Sequence, residues 1–140
     1  LRHGVPFRYY YQSRDVRYRF SPDGHLDLMD FIADFGAARQ SRLDVVAKLC
    51  GMPGKVGVDG KDVGPMVHAG QLDLVRAYCL CDVFQTAGVF LRVQLLRGEL
   101  TPQTYRDAIE GLITAAKAEP RVAPVVAAWN EPRLRLEAAS

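Results

Sequence analysis

The sequence predicts a mostly helical chain with one or two short strands, and three observations carry that prediction. The run from Gly70 to Gly98, GQLDLVRAYCLCDVFQTAGVFLRVQLLRG, is apolar, free of proline and bounded by glycines, so it reads as one long helix. It would span about 39 Å at 1.5 Å per residue. Thr101-Pro102 is a helix start, with Thr101 as N-cap and Pro102 at the first helical position. Apolar residues recur at helical spacing over Leu28–Phe35 and again from Leu43 to Cys50, while strand-like alternation is confined to Val16–Phe20.

The elements follow in order. Residues 1–25 are rich in arginine and tyrosine and broken by Pro6, Pro22 and Gly24. Tyr9, Tyr10, Tyr11 and Tyr18 among arginines such as Arg8 admit two readings. One is a nucleic-acid-facing surface of stacking rings and phosphate contacts. The other is a loop whose tyrosines half-bury while the arginines keep their charged ends in water. His25–Asp30 begins a short buried strand or leads into the helix at Leu28. Asp27 and Asp30 suit capping and dipole compensation there, and Gly36 suits the stop. Ser41 is the expected N-cap of SRLDVVAKLCG, with Asp44 completing a capping box and Leu43, Val46, Ala47 and Cys50 as its buried stripe. Gly51 ends that helix. The loop MPGKVGVDGKDVG lacks the spacing of a phosphate-binding P-loop, although Lys55 and Lys61 could reach phosphates. A short helix is expected within Asp62–Ala69.

In the long helix, Leu72, Val75, Cys79, Val83, Phe90, Leu91 and Leu95 are the expected inward stripe. Gly88 inside it implies a close approach by another backbone. Tyr105, Ile109, Leu112 and Ile113 are the apolar face of the helix running from Pro102 to about Ala118. Pro120 and Pro124 break it, Val122–Trp129 adds a turn or two, and the chain from Pro132 to Ser140 reads as a frayed tail.

A chain of 140 residues with 49% hydrophobic and 24% charged residues is one globular domain or part of one. A net charge of +2 names no partner, but Arg2, Arg8, Arg14, Arg17 and Arg19 face only Asp15 in the first twenty residues. Cys50, Cys79 and Cys81 lack zinc-site spacing, and free thiols in apolar surroundings point to a reducing, cytoplasmic setting. No apolar run is expected to cross a bilayer. The opening lacks a signal-peptide core and has no initial Met, which is consistent with a preceding segment.

Tyr78 and Asp82 stand four residues apart, on one face of the long helix. They are either a hydrogen-bonded core pair or half of a metal-dependent hydrolytic site. A carboxylate can ligate Mg²⁺ or Mn²⁺, and a phenol one turn away can bind the attacking water.

The wider string resembles the predicted 3′–5′ exonucleases related to the proofreading domain of family B DNA polymerases. The likeness lies in His25-Leu26-Asp27-Leu28-Met29-Asp30, Leu43-Asp44-x-Val46-Ala47-Lys48-Leu49, and Gly51-x-Pro53-Gly54-Lys55. It continues through Asp59-Gly60, Gly70-x-Leu72, Tyr78-Cys79-x-x-Asp82-Val83 with Thr86, Leu91-Arg92 and Leu96-Arg97-Gly98. LRHGVP is similar to the family segment just after its second acidic motif. The resemblance implies an α/β ribonuclease-H-like fold in which four carboxylates bind two divalent metals, Mg²⁺ or Mn²⁺. Asp82 would be the metal ligand of the third motif and Tyr78 would orient the water, with single-stranded DNA 3′ ends as partner and no membrane. The first motif, Asp-x-Glu, and the second, an Asn…Phe-Asp segment, would lie before Leu1. On this reading residues 1–100 are the C-terminal part of the exonuclease domain, 101–132 a helical extension and 133–140 a tail. Such a chain should be inactive alone.

Two other readings compete. LDVVAKLCGMPGK is similar to the first helix and turn of a helix-turn-helix, so the chain could be a non-catalytic nucleic-acid-binding module. It could also be a helical interaction domain in which Tyr78 and Asp82 are a satisfied pair.

Overall fold

The computed structural model describes residues 4, 6–18, 21, 25–55, 57 and 59–137. The chain is mostly helical and divides into two compact units, Leu1–Ser41 and Arg42–Ser140.

The first unit holds helices α1 (Arg8–Gln12), α2 (Arg14–Arg17) and α3 (Leu28–Ile32). Phe7 stacks on Tyr10 at 5.5 Å, and Tyr10 meets Tyr11 edge-on at 5.3 Å. No strand occurs among the described residues. Val16 lies in α2 and not in a strand, while Arg19 and Phe20 lie outside the described residues. His25–Asp30 leads into a helix because Asp27 caps it. Its Oδ1 accepts from the backbone N–H groups of Met29 (2.9 Å) and Asp30 (3.1 Å). That helix is shorter than its apolar spacing predicts. A 3₁₀ turn at Asp34–Gly36 replaces the last turn, with Phe35 at φ 51° and Gly36 at φ 103°.

The second unit is organised on α6 (Leu72–Leu96), which packs against α4 (Leu43–Cys50), α5 (Val63–His68) and α7 (Pro102–Lys117). The core joins Ala47, Cys50 and Met52 to Val89 and Val93 of α6 and to Tyr105, Ile109 and Ile113 of α7. α7 starts as the sequence indicates. The Thr101 hydroxyl accepts from Thr104 N–H at 3.1 Å, and Thr104 Oγ1 accepts in return from Thr101 N–H at 2.9 Å. α4 starts one residue later than expected. Arg42 holds the cap position without a side-chain bond, which leaves Val45 where a box would need a polar partner. Ser41 and Asp44 therefore form no capping box. Gly51 ends α4 at φ 103°, and residues 51–59 separate it from the next helical turn, Gly60–Asp62. That spacing is too long for the tight turn of a helix-turn-helix.

The buried face of α6 differs from the expected stripe. Gln85, Gly88, Val89 and Val93 are buried, whereas Leu72, Val83 and Phe90 are exposed by 45%, 61% and 40%. Apolar and polar residues are both spread round this helix, so its sequence period does not select a face. Its length and mean hydropathy of 1.4 would also suffice to cross a membrane, contrary to the expectation above. A core helix satisfies the same criterion, and α6 packs on three other helices. The neighbour at Gly88 is a side chain and not a backbone: a Cβ there would stand 2.8 Å from the Sδ and Cε of Met52.

Residues 132–137 are not a frayed tail. Residues Glu131–Arg135 form helix α9, following a short helix α8 (Ala123–Val126), and Leu134 is fully buried. Arg92 holds this end, donating from Nη2 to the carbonyls of Arg133 (3.0 Å) and Leu134 (3.2 Å) and from Nε to Tyr105 Oη (2.9 Å). Tyr105 Oη donates to Leu134 O at 2.7 Å, and Asn130 N–H donates to Gly51 O at 2.8 Å.

Candidate functional site

A cleft of about 140 Å³ opens between the start of α4, the loop after α4 and the middle of α6. Tyr78, Asp82 and Gln85 come from α6, at i, i+4 and i+7, and so share one face. Lys55 and Gly54 come from the loop, and Arg42 and Asp44 from the start of α4. The loop lies close because Gly54 has no side chain. At φ 77°, a Cβ would stand 2.7 Å from the Asp44 carbonyl oxygen.

The cleft balances two cations against two carboxylates. Arg42 Nε stands 3.5 Å from Asp44 Oδ1. Lys55 Nζ donates to Asp59 Oδ1 at 2.6 Å and holds that carboxyl below its ordinary value. The Tyr78 phenol is pushed above its ordinary value of 10.0, chiefly by burial and then by Asp82 as a nearby charge and hydrogen-bond partner. Tyr78 is therefore a neutral phenol at physiological pH, able to donate one hydrogen bond and accept another. Gln85 is 2% exposed, and its Oε1 has no hydrogen-bond partner.

Tyr78, Asp82 and Lys55 are thus brought together. Lys61 is exposed in the turn Gly60–Asp62 and does not line the cleft. Arg8 belongs to α1, in the other compact unit. Three lining residues with polar side chains have no site role in the sequence analysis above: Arg42, Asp44 and Gln85. Helical spacing from Tyr78 and Asp82 was a sufficient signal for Gln85. Nothing in the local sequence marks Arg42 or Asp44, whose place depends on how α4 meets α6.

A divalent ion of the magnesium type needs about six oxygen ligands, and a pair of ions needs bridging carboxylates. Among the described residues no group of three or more His, Cys, Asp or Glu side chains could hold a metal. The cleft offers Asp82 and Asp44 alone. A two-metal centre does not fit these residues by themselves.

Residues 1–131 match a family model described as a predicted 3′–5′ exonuclease related to the exonuclease domain of PolB. Neither a curated protein nor a solved structure matches the chain.

Proposed function

We propose, on the footing that this chain belongs to the family of predicted 3′–5′ exonucleases related to the exonuclease domain of PolB, that its cleft is one wall of a nuclease centre acting on the 3′ ends of single-stranded DNA. The observation that carries the reading is the convergence of Tyr78, Asp82 and Lys55 on one cleft from two separate segments. Lys55 meets a phosphate oxygen as a point charge. Neutral Tyr78 accepts a hydrogen bond from the attacking water and so turns the water's lone pair toward the terminal phosphodiester. Asp82 offers a carboxylate one helical turn away. A pair of Mg²⁺ or Mn²⁺ ions, where it serves this reaction, draws its remaining carboxylates from outside the described residues. The helices would then be the C-terminal part of a ribonuclease-H-like domain.

The test is release of nucleotides from 3′-labelled single-stranded DNA with Mg²⁺ or Mn²⁺. It is run on this chain and on a form extended upstream. The extended form should be active, and Asp82→Ala should reduce it to background while leaving DNA binding in place. Tyr78→Phe should cost less, roughly 10²-fold or below, because only water positioning is lost. Undiminished activity in Asp82→Ala would refute the assignment. Metal-independent binding of duplex DNA without any cleavage would favour a binding module.

A further inference from the structure

The amide of Gln85 is the least explained group in the cleft. It sits one turn beyond Asp82 on the same face of α6, buried to 2% exposure, with Oε1 unpartnered. A buried amide left unpaired is destabilising, and Leu or Met would fill the same space without that cost. Among the described residues nothing bonds Oε1, and because a half-turn of the terminal torsion exchanges the amide oxygen and nitrogen, the unpartnered position can hold either an acceptor or a donor.

The neighbours define what a ligand must look like. Asp82 and Asp44 only accept hydrogen bonds when ionised, and Lys55 and Arg42 only donate. A phosphate competes with Asp44 for Arg42 and with Asp59 for Lys55, and is repelled from Asp82. Tyr78 and Gln85 are the neutral polar side chains of the lining left for the other end of the ligand. A sugar hydroxyl both donates and accepts, and so matches an amide in either orientation.

We propose that Gln85 is a further substrate-contacting residue, whose amide hydrogen-bonds the 3′-hydroxyl of the terminal nucleotide while Lys55 and Arg42 hold its phosphate. The proposal rests on the nuclease reading of this cleft, but its test does not use cleavage. The 140-residue chain is titrated calorimetrically with thymidine 5′-monophosphate and with its 3′-deoxy analogue. The hydroxyl-bearing nucleotide should bind about tenfold more tightly, the effect of one hydrogen bond. Gln85→Leu should bind both as weakly as wild type binds the analogue, with an unchanged or higher melting temperature. As a check that needs no variant, the side-chain amide resonances of Gln85 should shift on adding thymidine 5′-monophosphate and not on adding inorganic phosphate.

Equal or absent binding of the two nucleotides by wild type would overturn the proposal. So would a preference retained in Gln85→Leu, or amide resonances that do not respond. A chain that shows the preference but cleaves DNA in no form removes the nuclease reading and keeps this contact. A nuclease whose nucleotide affinity ignores the hydroxyl does the reverse.

Discussion

At Tyr78, burial and charge act in the same direction. Desolvation disfavours the phenolate, and the Asp82 carboxylate one turn away disfavours it further. Absorbance titration should show this phenol ionising above 10.0, and the Tyr78→Phe difference spectrum should assign it. The assignment is needed because burial raises Tyr105 as well. Asp82→Asn should lower the Tyr78 midpoint only part of the way, since burial is the larger cause. A midpoint that does not move would mean that Asp82 exerts no field on the phenol. The pair is legible in sequence because four-residue spacing on a helix is a local rule. Lys55 is legible as a cation in a glycine-rich loop. Helical spacing puts Gln85 on the face of Tyr78 and Asp82, but its unpartnered Oε1 emerges from packing alone.

Among the elements, the end of α4 is the most constrained. Gly51 combines φ 103° with a Cβ position 2.8 Å from the Asn130 carbonyl oxygen. Gly51→Ala should cost at least about 1–2 kcal/mol from the left-handed backbone alone. The displaced Asn130 adds to this, and a lower urea midpoint reads the sum. A loss below about 0.5 kcal/mol would refute the close approach at Asn130. Gly88 is different, because its close neighbour is the flexible end of Met52 and alanine favours the helix by about 1 kcal/mol. Caps and stops written in adjacent residues were legible, as Asp27, Gly51 and Thr101 show. Ser41 was not, because the start of α4 slips by one residue and leaves Asp44 to line the cleft. The buried face of α6 was not legible either, since Leu, Val and Phe surround the whole helix and only its partners choose a side.

Across the second unit, acidic side chains tie the last helix and its approach to cations. Glu131 bonds Lys117 (2.6 Å) and Arg135 (2.8 Å), Arg135 also pairs with Glu110, and Glu119 pairs with Arg121. Lys117 and then Arg135 hold Glu131 below 4.5, Arg135 does the same for Glu110, and Arg121 holds Glu119 at about 2. A depressed folded value means that the stabilisation is complete above 4.5 and is lost as pH falls through the folded value. Acid unfolding should therefore steepen between about 4.5 and 2, and Glu131→Gln should flatten the melting temperature against pH in that window. An unchanged slope would show that these pairs are fully screened. Sequence signals miss this closure because Pro132 and the charges around it read as a tail. The bonds from Arg92, 41 and 42 residues away, are invisible to any local rule.

That closure also orders events during synthesis. Translation delivers α4, α6 and α7 first, but Asn130, the partner of the Gly51 carbonyl, and the buried Leu134 arrive only after them. Until then the Arg92 guanidinium lacks its two carbonyl acceptors and the floor beneath Tyr105 stays open. The second unit can thus be completed only after Leu134 has been made. Termination before Leu134 would leave the Arg92 guanidinium and the Tyr105 hydroxyl without the carbonyls they bond.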